Sequence, residues 1–298
     1  MTASKSLVPG LGIRGCVIQG ELLSKYTSIG IGGPAAVIAF PVDEKDILCI
    51  LNSIKNEDIP FMVLGDGTNV LFKDEGFDGI VIGMSKFSEN IERNGAMVKA
   101  ESGAPLSAIL ARCTEWGLGG LEFSAGIPGL TGGAVMGNAG AFGEDVSAVI
   151  ASLRGITLKE VKTRTIEARE IQFSYRKTVL PEEMIVTGVE FSLESDHREA
   201  VQKKIHEHQA YRRKTQPAGR TAGSVFKNPP GESAGKLLEQ CDLKGQRRGG
   251  AVISDVHANF IINTGNATCA DVMALVDVMR SEVNRYYGIE LELEWKLY

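Results

Sequence analysis

The chain has 298 residues, 43% of them hydrophobic and 23% charged, with a formal net charge of -5. Such a length and composition describe two or three folded domains with sizeable cores. The negative balance excludes a broad nucleic-acid-binding or anionic-membrane surface.

No run of about 18 apolar residues is present, so no membrane-spanning helix is expected, and residues 1–20 lack the apolar stretch of a secretory signal. Five cysteines, at 16, 49, 113, 241 and 269, are odd in number and contain no Cys-x-x-Cys pair. They read as small buried hydrophobes of a cytoplasmic protein. His206 and His208 stand two apart, which puts them on different faces of a helix and makes a poor metal pair.

Gly30-Ile-Gly-Gly-Pro-Ala35 has the letters of a dinucleotide fingerprint, but a true fingerprint follows a strand and opens a helix. Here Pro34 is followed by an apolar run to Phe40, which reads as a buried strand. A Rossmann fold is therefore rejected in favour of a turn leading into a strand. Asp43 caps a helix reaching about Lys55, with Ile47, Ile50, Leu51 and Ile54 at helical spacing. A short strand, 61–64, ends in Gly65-Asp-Gly-Thr-Asn69 and is followed by apolar residues 70–72. Strand, helix, strand and glycine turn make a βαβ-like unit, and ligands favour such turns. Strands at 79–82 and 97–100 precede a helix after Gly103, which buries Leu106, Ile109, Leu110 and Cys113 and closes at Gly117.

Residues 119–143 hold nine glycines in 25 positions, with one acid, Glu122, and no base. Such a run can bring backbone N–H groups close to something large and polar, a pyrophosphate being the leading reading; a plain set of turns is the other. Strands are expected at 149–153, 157–161 and 184–191, with Phe173-Ser-Tyr-Arg-Lys177 between them. Residues 197–214 form a charged, exposed helix ending in Arg212-Arg-Lys214, and a domain boundary falls near Ser195. A short helix (233–240), strands at 252–253 and 260–262, and a long helix follow. The long helix is capped by Thr268 with Asp271 and carries an apolar face of Val272, Leu275, Val276, Met279 and Val283. Residues 289–298 alternate strictly, as a strand does; on that pattern Glu290, Glu292 and Glu294 share one face, an acidic edge.

Taken in order, the motifs resemble those of the UDP-N-acetylenolpyruvoylglucosamine reductase family. They are residues 26–35, Leu64-Gly-Asp-Gly-Thr-Asn-Val-Leu71, Gly126-Ile-Pro-Gly-Leu-Thr-Gly-Gly-Ala134 with Asn138-Ala-Gly140, Ser174-Tyr-Arg176, Lys214-Thr-Gln-Pro217, Gly223-Ser-Val-Phe-Lys-Asn-Pro229 and His257-Ala-Asn-Phe-Ile-Ile-Asn263. The resemblance implies an α+β fold: a two-part FAD-binding region of the vanillyl-alcohol-oxidase/PCMH type plus a C-terminal α/β substrate-binding domain. Residues 1–80, joined by the terminal strand 289–298, and 81–195 would be the flavin subdomains, and 196–288 the substrate domain.

It further implies that NADPH reduces FAD, which then reduces the enolpyruvyl ether of UDP-N-acetylglucosamine to UDP-N-acetylmuramate, a peptidoglycan precursor. The positions matching the family's catalytic residues are Arg176, for the substrate carboxylate, Ser224, as proton donor, and Glu294. FAD would be held by Gly32, Gly33, Gly65, Gly67, Thr68, Asn69, Gly103, Gly126, Ile127, Pro128, Gly129, Gly132, Gly133, Asn138, Ala139 and Gly140. Tyr175, Arg213, Lys214, Lys227 and Asn228 would contact the UDP-sugar. No metal, nucleic acid, membrane insertion or obligatory protein partner is called for. The chain departs from the family pattern at Leu291-Glu-Leu-Glu-Trp295, where a proline and a valine are usual, and at Asp66, inside a glycine turn. The 49 positions from Tyr175 to Ser224 leave no room for an extra substrate loop, which marks the shorter subtype.

Overall fold

The computed structural model describes residues 11–55 and 57–298; the first half of the stretch weighed as a secretory signal lies outside them. The chain packs into two compact units. One comprises the residues up to Gln19 with Val37–Asp66 and Gly79–Arg212, the other Gly20–Ala36, Gly67–Asp78 and Arg213–Tyr298. These limits differ from the segment ends at 80 and 195: the second glycine turn is divided, and most of the charged helix stays with the first unit.

Two larger sheets lie mainly in the first unit. Strands β1 (Cys16–Gln19), β2 (Ala35–Phe40), β3 (Phe61–Leu64) and β4 (Phe77–Gly83) lie in the order β1-β2-β4-β3, with β3 and β4 parallel. Helix α1 (Glu44–Ile54) starts where Asp43 accepts from the N–H groups of Lys45 and Asp46. Its Ile47, Ile50, Leu51 and Ile54 pack with Val37, Ala39, Ile80 and Ile82 in one core, so the strand–helix–strand reading holds, with β4 inserted between the two strands. Asp46 is buried, and its carboxylate accepts the N–H groups of Arg14, Gly15 and Val42, each at 3.0 Å. That single side chain ties the start of β1 and the end of β2 to the helix.

The second sheet is antiparallel: β5 (Ile91–Asn94), β6 (Met97–Glu101), β7 (Ile150–Thr157), β8 (Thr163–Glu167) and β11 (Met184–Ser192), in the order β8-β7-β11-β6-β5. Between β8 and β11 a separate hairpin, β9 (Gln172–Ser174) and β10 (Lys177–Val179), pairs only with itself. Helix α2 (Leu106–Trp116) buries Ile109, Leu110 and Cys113 against Val98 and Phe191 and ends on left-handed Gly117. The strand expected at 157–161 is a turn. Val161 adopts φ +53 and its N–H returns to the Thr157 carbonyl, so the next strand starts only at Thr163; local β-branched content is overridden by the need to reverse the chain.

Two cysteines also depart from expectation: Cys16 and Cys49 are exposed, while Cys113 and Cys269 are buried and all five are free thiols. Burial pushes the Cys113 thiol up to about 12. No helix among the described residues is long and apolar enough to cross a membrane.

In the second unit, β12 (Arg247–Arg248), β13 (Ala251–Ile253) and β14 (Ile261–Asn263) form a small antiparallel sheet. The long helix Cys269–Tyr287 opens with a capping box of Thr268 and Asp271 and ends on left-handed Gly288. Its five predicted apolar residues all enter one core with Leu237, Phe226 and Trp295. The segment 289–298 is not the continuous strand expected. Only Lys296–Leu297 pairs, in parallel with Val70–Leu71, and Leu293 bridges to Phe226. The alternation survives in burial, with Leu291 and Trp295 inside and Glu290 and Glu292 exposed.

Replacing Asp46 by Ala strands three buried or part-buried N–H donors, so unfolding in urea should show a loss of about 3 kcal/mol.

Candidate functional site

The glycine-rich stretch is more than a loop. Leu121, Phe123, Ala125, Leu130 and Val135 are buried in the core of the second sheet or its neighbour, and a six-residue helix, α3 (Thr131–Met136), forms within it. Several of its N–H groups are already engaged: Thr131 donates to Ala104 O at 2.9 Å and Gly132 to Ser102 O at 3.1 Å. The side chain of Asn138 is buried and committed within the protein.

The glycines sort into two kinds. A Cβ on Gly33 would come within 2.1 Å of Asp74 O, on Gly67 within 2.0 Å of Tyr26 O, on Gly103 within 2.4 Å of Phe87 O, and on Gly140 within 2.3 Å of Glu144 O. Gly32 and Gly132 are similarly closed, by Leu23 and Phe72 and by Ser102. In these positions the missing side chain lets the protein approach itself. Gly65 and Gly133, by contrast, face open space. Against Gly132, the neighbour of Gly133, lies Ser102, whose Oγ is buried without a hydrogen-bond partner. A groove of about 470 Å³ in the first unit is lined by Gly126, Ile127, Pro128 and Gly129, with Asp66, Ser85 and Glu89. Burial holds the Asp66 carboxyl above its ordinary value. The open glycines, the orphaned hydroxyl and the groove fit a bulky cofactor such as FAD.

Arg176 occupies the tip of the β9–β10 hairpin. Ser174 pairs with Lys177, which leaves Tyr175 and Arg176 as a two-residue turn with Arg176 at φ +56. Its guanidinium lies over the exposed Tyr175 ring, 5.1 Å from the centroid.

Helix α4 (Arg198–Thr215) brings a second guanidinium close. Arg212 is half-buried, and its Nε would stand 3.1 Å from a Cβ on Gly126. Burial, and after it the like charge of Arg176, push Arg212 below its ordinary value, though an arginine remains charged there. The sequence reading chose the neighbouring Arg213 and Lys214, both exposed, and passed over Arg212. The signal was helical period: Val201, Ile205, His208 and Arg212 share one face. That face is anchored by Lys204 on buried Glu122 at 3.1 Å, by His208 Nδ1 donating to Glu122 O at 2.9 Å, and by His208 stacking on Phe142. His206 points elsewhere, and no metal-holding cluster occurs among the described residues.

In the second unit the structure brings Ser224 and Glu294 together. Residues 224–227 run as an extended segment between two others. On one side Val225 N donates to Asn259 O, and the buried Asn259 side chain exchanges hydrogen bonds with both backbone groups of Phe226, at 3.0 and 2.8 Å. On the other, Glu294 N donates to Val225 O and Lys227 N to Glu292 O, both at 2.9 Å. Asn69 Nδ2 donates to the backbone carbonyl of Glu294 at 3.2 Å, so the last residue of the second glycine turn holds the main chain that carries this acid. Lys227 pairs with Glu292, and the Asn228 carboxamide accepts from Ala234 N, capping the helix Ala234–Gln240.

The two kinds of glycine are separable by experiment. In cofactor-free protein, Gly67→Ala should lower stability by about 3 kcal/mol, from overpacking and a left-handed alanine. Gly133→Ala, in a helix and facing open space, should raise it by up to about 1 kcal/mol while weakening FAD binding. Thermal unfolding and flavin titration check both.

Residues 34–162 match the family model of an FAD binding domain, and residues 215–298 that of the UDP-N-acetylenolpyruvoylglucosamine reductase C-terminal domain. The chain is 39% identical over 287 residues to the UDP-N-acetylenolpyruvoylglucosamine reductase of Syntrophus aciditrophicus, covering 95% of this chain and 92% of the relative. To that of Heliobacterium modesticaldum it is 41% identical over 284 residues, covering 94% and 90%. The crystal structure of the reductase from Thermus caldophilus matches with a TM-score of 0.82 at 32% identity, over 96% of this chain and 99% of that one. The α+β fold, with an FAD-binding region ahead of a reductase C-terminal domain, is the one the motifs predict. With this identity sustained along nearly its whole length, the chain belongs to the UDP-N-acetylenolpyruvoylglucosamine reductase family.

Proposed function

We propose that the protein is an FAD-dependent, NADPH-using reductase converting the enolpyruvyl ether of UDP-N-acetylglucosamine to UDP-N-acetylmuramate. The reading places it in the cytoplasm, in the synthesis of peptidoglycan precursors, acting on a small UDP-sugar without an obligatory protein partner. The observation that carries it from the structure is the lacing of the Ser224 segment against Glu294, in a chain of this family.

FAD, when bound, supplies the transfer of hydride from NADPH to the terminal vinyl carbon of the substrate. The protein's task is to manage the charge that follows. Arg176 presents a fixed, permanently charged fork to the substrate carboxylate, where electron density collects. Ser224 delivers a proton to the carbon beside that carboxylate; an ordinary hydroxyl is a weak acid, so its surroundings have to assist it. Glu294, held through its backbone by Val225 and Asn69, gives a polar contact for the developing acid. One hydride and one proton complete the lactyl ether.

Gly65, Gly133, Ile127, Pro128 and Gly129 are the positions best placed to face the cofactor. Among the substrate candidates, Arg213 and Lys214 are exposed cations, and Arg212 joins them as a half-buried one. Lys227 would have to leave Glu292 to reach a diphosphate.

Anaerobic absorption spectra test the whole reading. NADPH should bleach the flavin band, and the enolpyruvyl substrate should restore it; protein that refuses FAD on reconstitution would overturn the proposal. Ser224→Ala should keep the bleaching step and slow the recovery by about 10³-fold, and an alanine variant with normal recovery would remove Ser224 from the reaction.

A further inference from the structure

The glycine-rich stretch holds the hairpin that carries Arg176. That hairpin has three residues in each strand and forms a sheet of its own. A hairpin of this size has little stability by itself, and no neighbouring ladder sets the direction of its tip. Arg176 also sits at φ +56, a conformation that costs energy for a residue with a Cβ and persists only where the surroundings over-determine it.

Phe173 and Leu180 pack the base of the hairpin against the core of the second sheet, and two directional hydrogen bonds, one on each strand, add to that determination. Asn138 Nδ2 donates to Ser174 O at 3.0 Å, and buried Thr178 Oγ1 donates to Val135 O at 2.6 Å. Both anchors, Val135 and Asn138, lie within four consecutive residues of the glycine-rich stretch. The remaining capacity of the Asn138 carboxamide is spent inside the protein: Nδ2 also donates to Asp145 Oδ2 at 3.1 Å, and Oδ1 accepts from Ser147 N at 3.2 Å. With both N–H groups and the carbonyl engaged and the residue buried, the side chain is not directed at a cofactor. Asparagine also suits the left-handed backbone there, φ +41, better than other side-chain-bearing residues do.

We infer that Asn138 and Thr178 are positioning residues for Arg176: they clamp the two strands of its hairpin to residues 135–138 and so fix where the guanidinium meets the substrate carboxylate. The inference rests on the proposed role of Arg176. A displacement of the order of an ångström at a reacting group can cost a hundredfold in rate.

The test uses holoenzyme variants N138G, which keeps the left-handed backbone without strain, T178V, which keeps shape without the hydroxyl, and T178S, which keeps the hydroxyl. Bound flavin and its bleaching by NADPH serve as the internal reference. Recovery of the flavin by the enolpyruvyl substrate should slow about tenfold to a hundredfold in N138G and T178V, with T178S close to the parent. In an R176A background the same substitutions should add nothing, and an undiminished effect there would overturn the inference. Lower flavin affinity in N138G with normal recovery would overturn it as well, returning Asn138 to the cofactor. Should R176A itself recover at the parental rate, the proposed role of Arg176 fails. Amide exchange across 172–179 in cofactor-free protein then tests the clamp alone, with faster exchange in N138G and T178V sustaining it and unchanged exchange refuting it. If N138G does not fold, the T178V and T178S pair carries the same decision.

Discussion

Backbone packed directly on backbone is the constraint on which the rest of this molecule depends. At Gly33, Gly67, Gly103 and Gly140 a single added carbon would fall within 2.4 Å of a carbonyl oxygen, well inside any van der Waals contact. Each such crossing lets a turn lie flat against another segment and leaves both segments' polar groups to find partners nearby. The carbonyls and N–H groups of the glycine-rich stretch and the Ser28–Gly67 contact are consequences. Glycine content here therefore reports first on how the chain folds onto itself, and only at open positions such as Gly65 and Gly133 on what it can bind.

Around the residues proposed to carry chemistry, three asparagine carboxamides bond the backbone. Asn259 stands in for a strand beside Ser224, Asn69 reaches the Glu294 carbonyl, and Asn138 reaches the Arg176 hairpin. A carboxamide offers donors and an acceptor at fixed angles without bringing a charge. In the proposed reaction, where negative charge collects on the substrate, carboxylate anchors at the same places would oppose that charge. Where acids do anchor, as Glu122 does for helix α4 and Asp46 for helix α1, they are matched by Lys204 or by backbone N–H groups.

Much of this was legible in the residues. Caps at Asp43 and Thr268, the stop at Gly117, and the apolar face of the long helix are local signals, and the helices follow them. The rejection of a Rossmann turn at 30–35 rested on the strand after Pro34, which is there. What could not be read is what depends on distant partners. The alternation of 289–298 is real, but its hydrogen bonds go to residues 225 and 227 and to 69–71, so a continuous strand never forms. Val161 turns left-handed against its own preference because the chain must reverse there. Arg212 was overlooked because its charge suggested a solvated helix end, whereas the helix period placed it inward. Asn138 and Asn69 were taken with the glycines around them, and only the partners of their side chains separate their work from that of their neighbours.

The second unit is assembled from three stretches of chain that are far apart in sequence. Ile29, Ile31 and Leu71 enter the same core as the long helix and Trp295, and Lys73 N and Leu71 O pair with the carbonyl and N–H of Tyr298. During synthesis, residues 20–36 and 67–78 therefore emerge long before the residues that will cover them. Most of the first unit can fold in the meantime, since domains close as their segments become available. The apolar faces of Ile29, Ile31 and Leu71 have to wait, solvated or sheltered by other proteins, until residues 213–298 have followed. Biosynthesis thus imposes an order on the two units that the finished fold no longer displays.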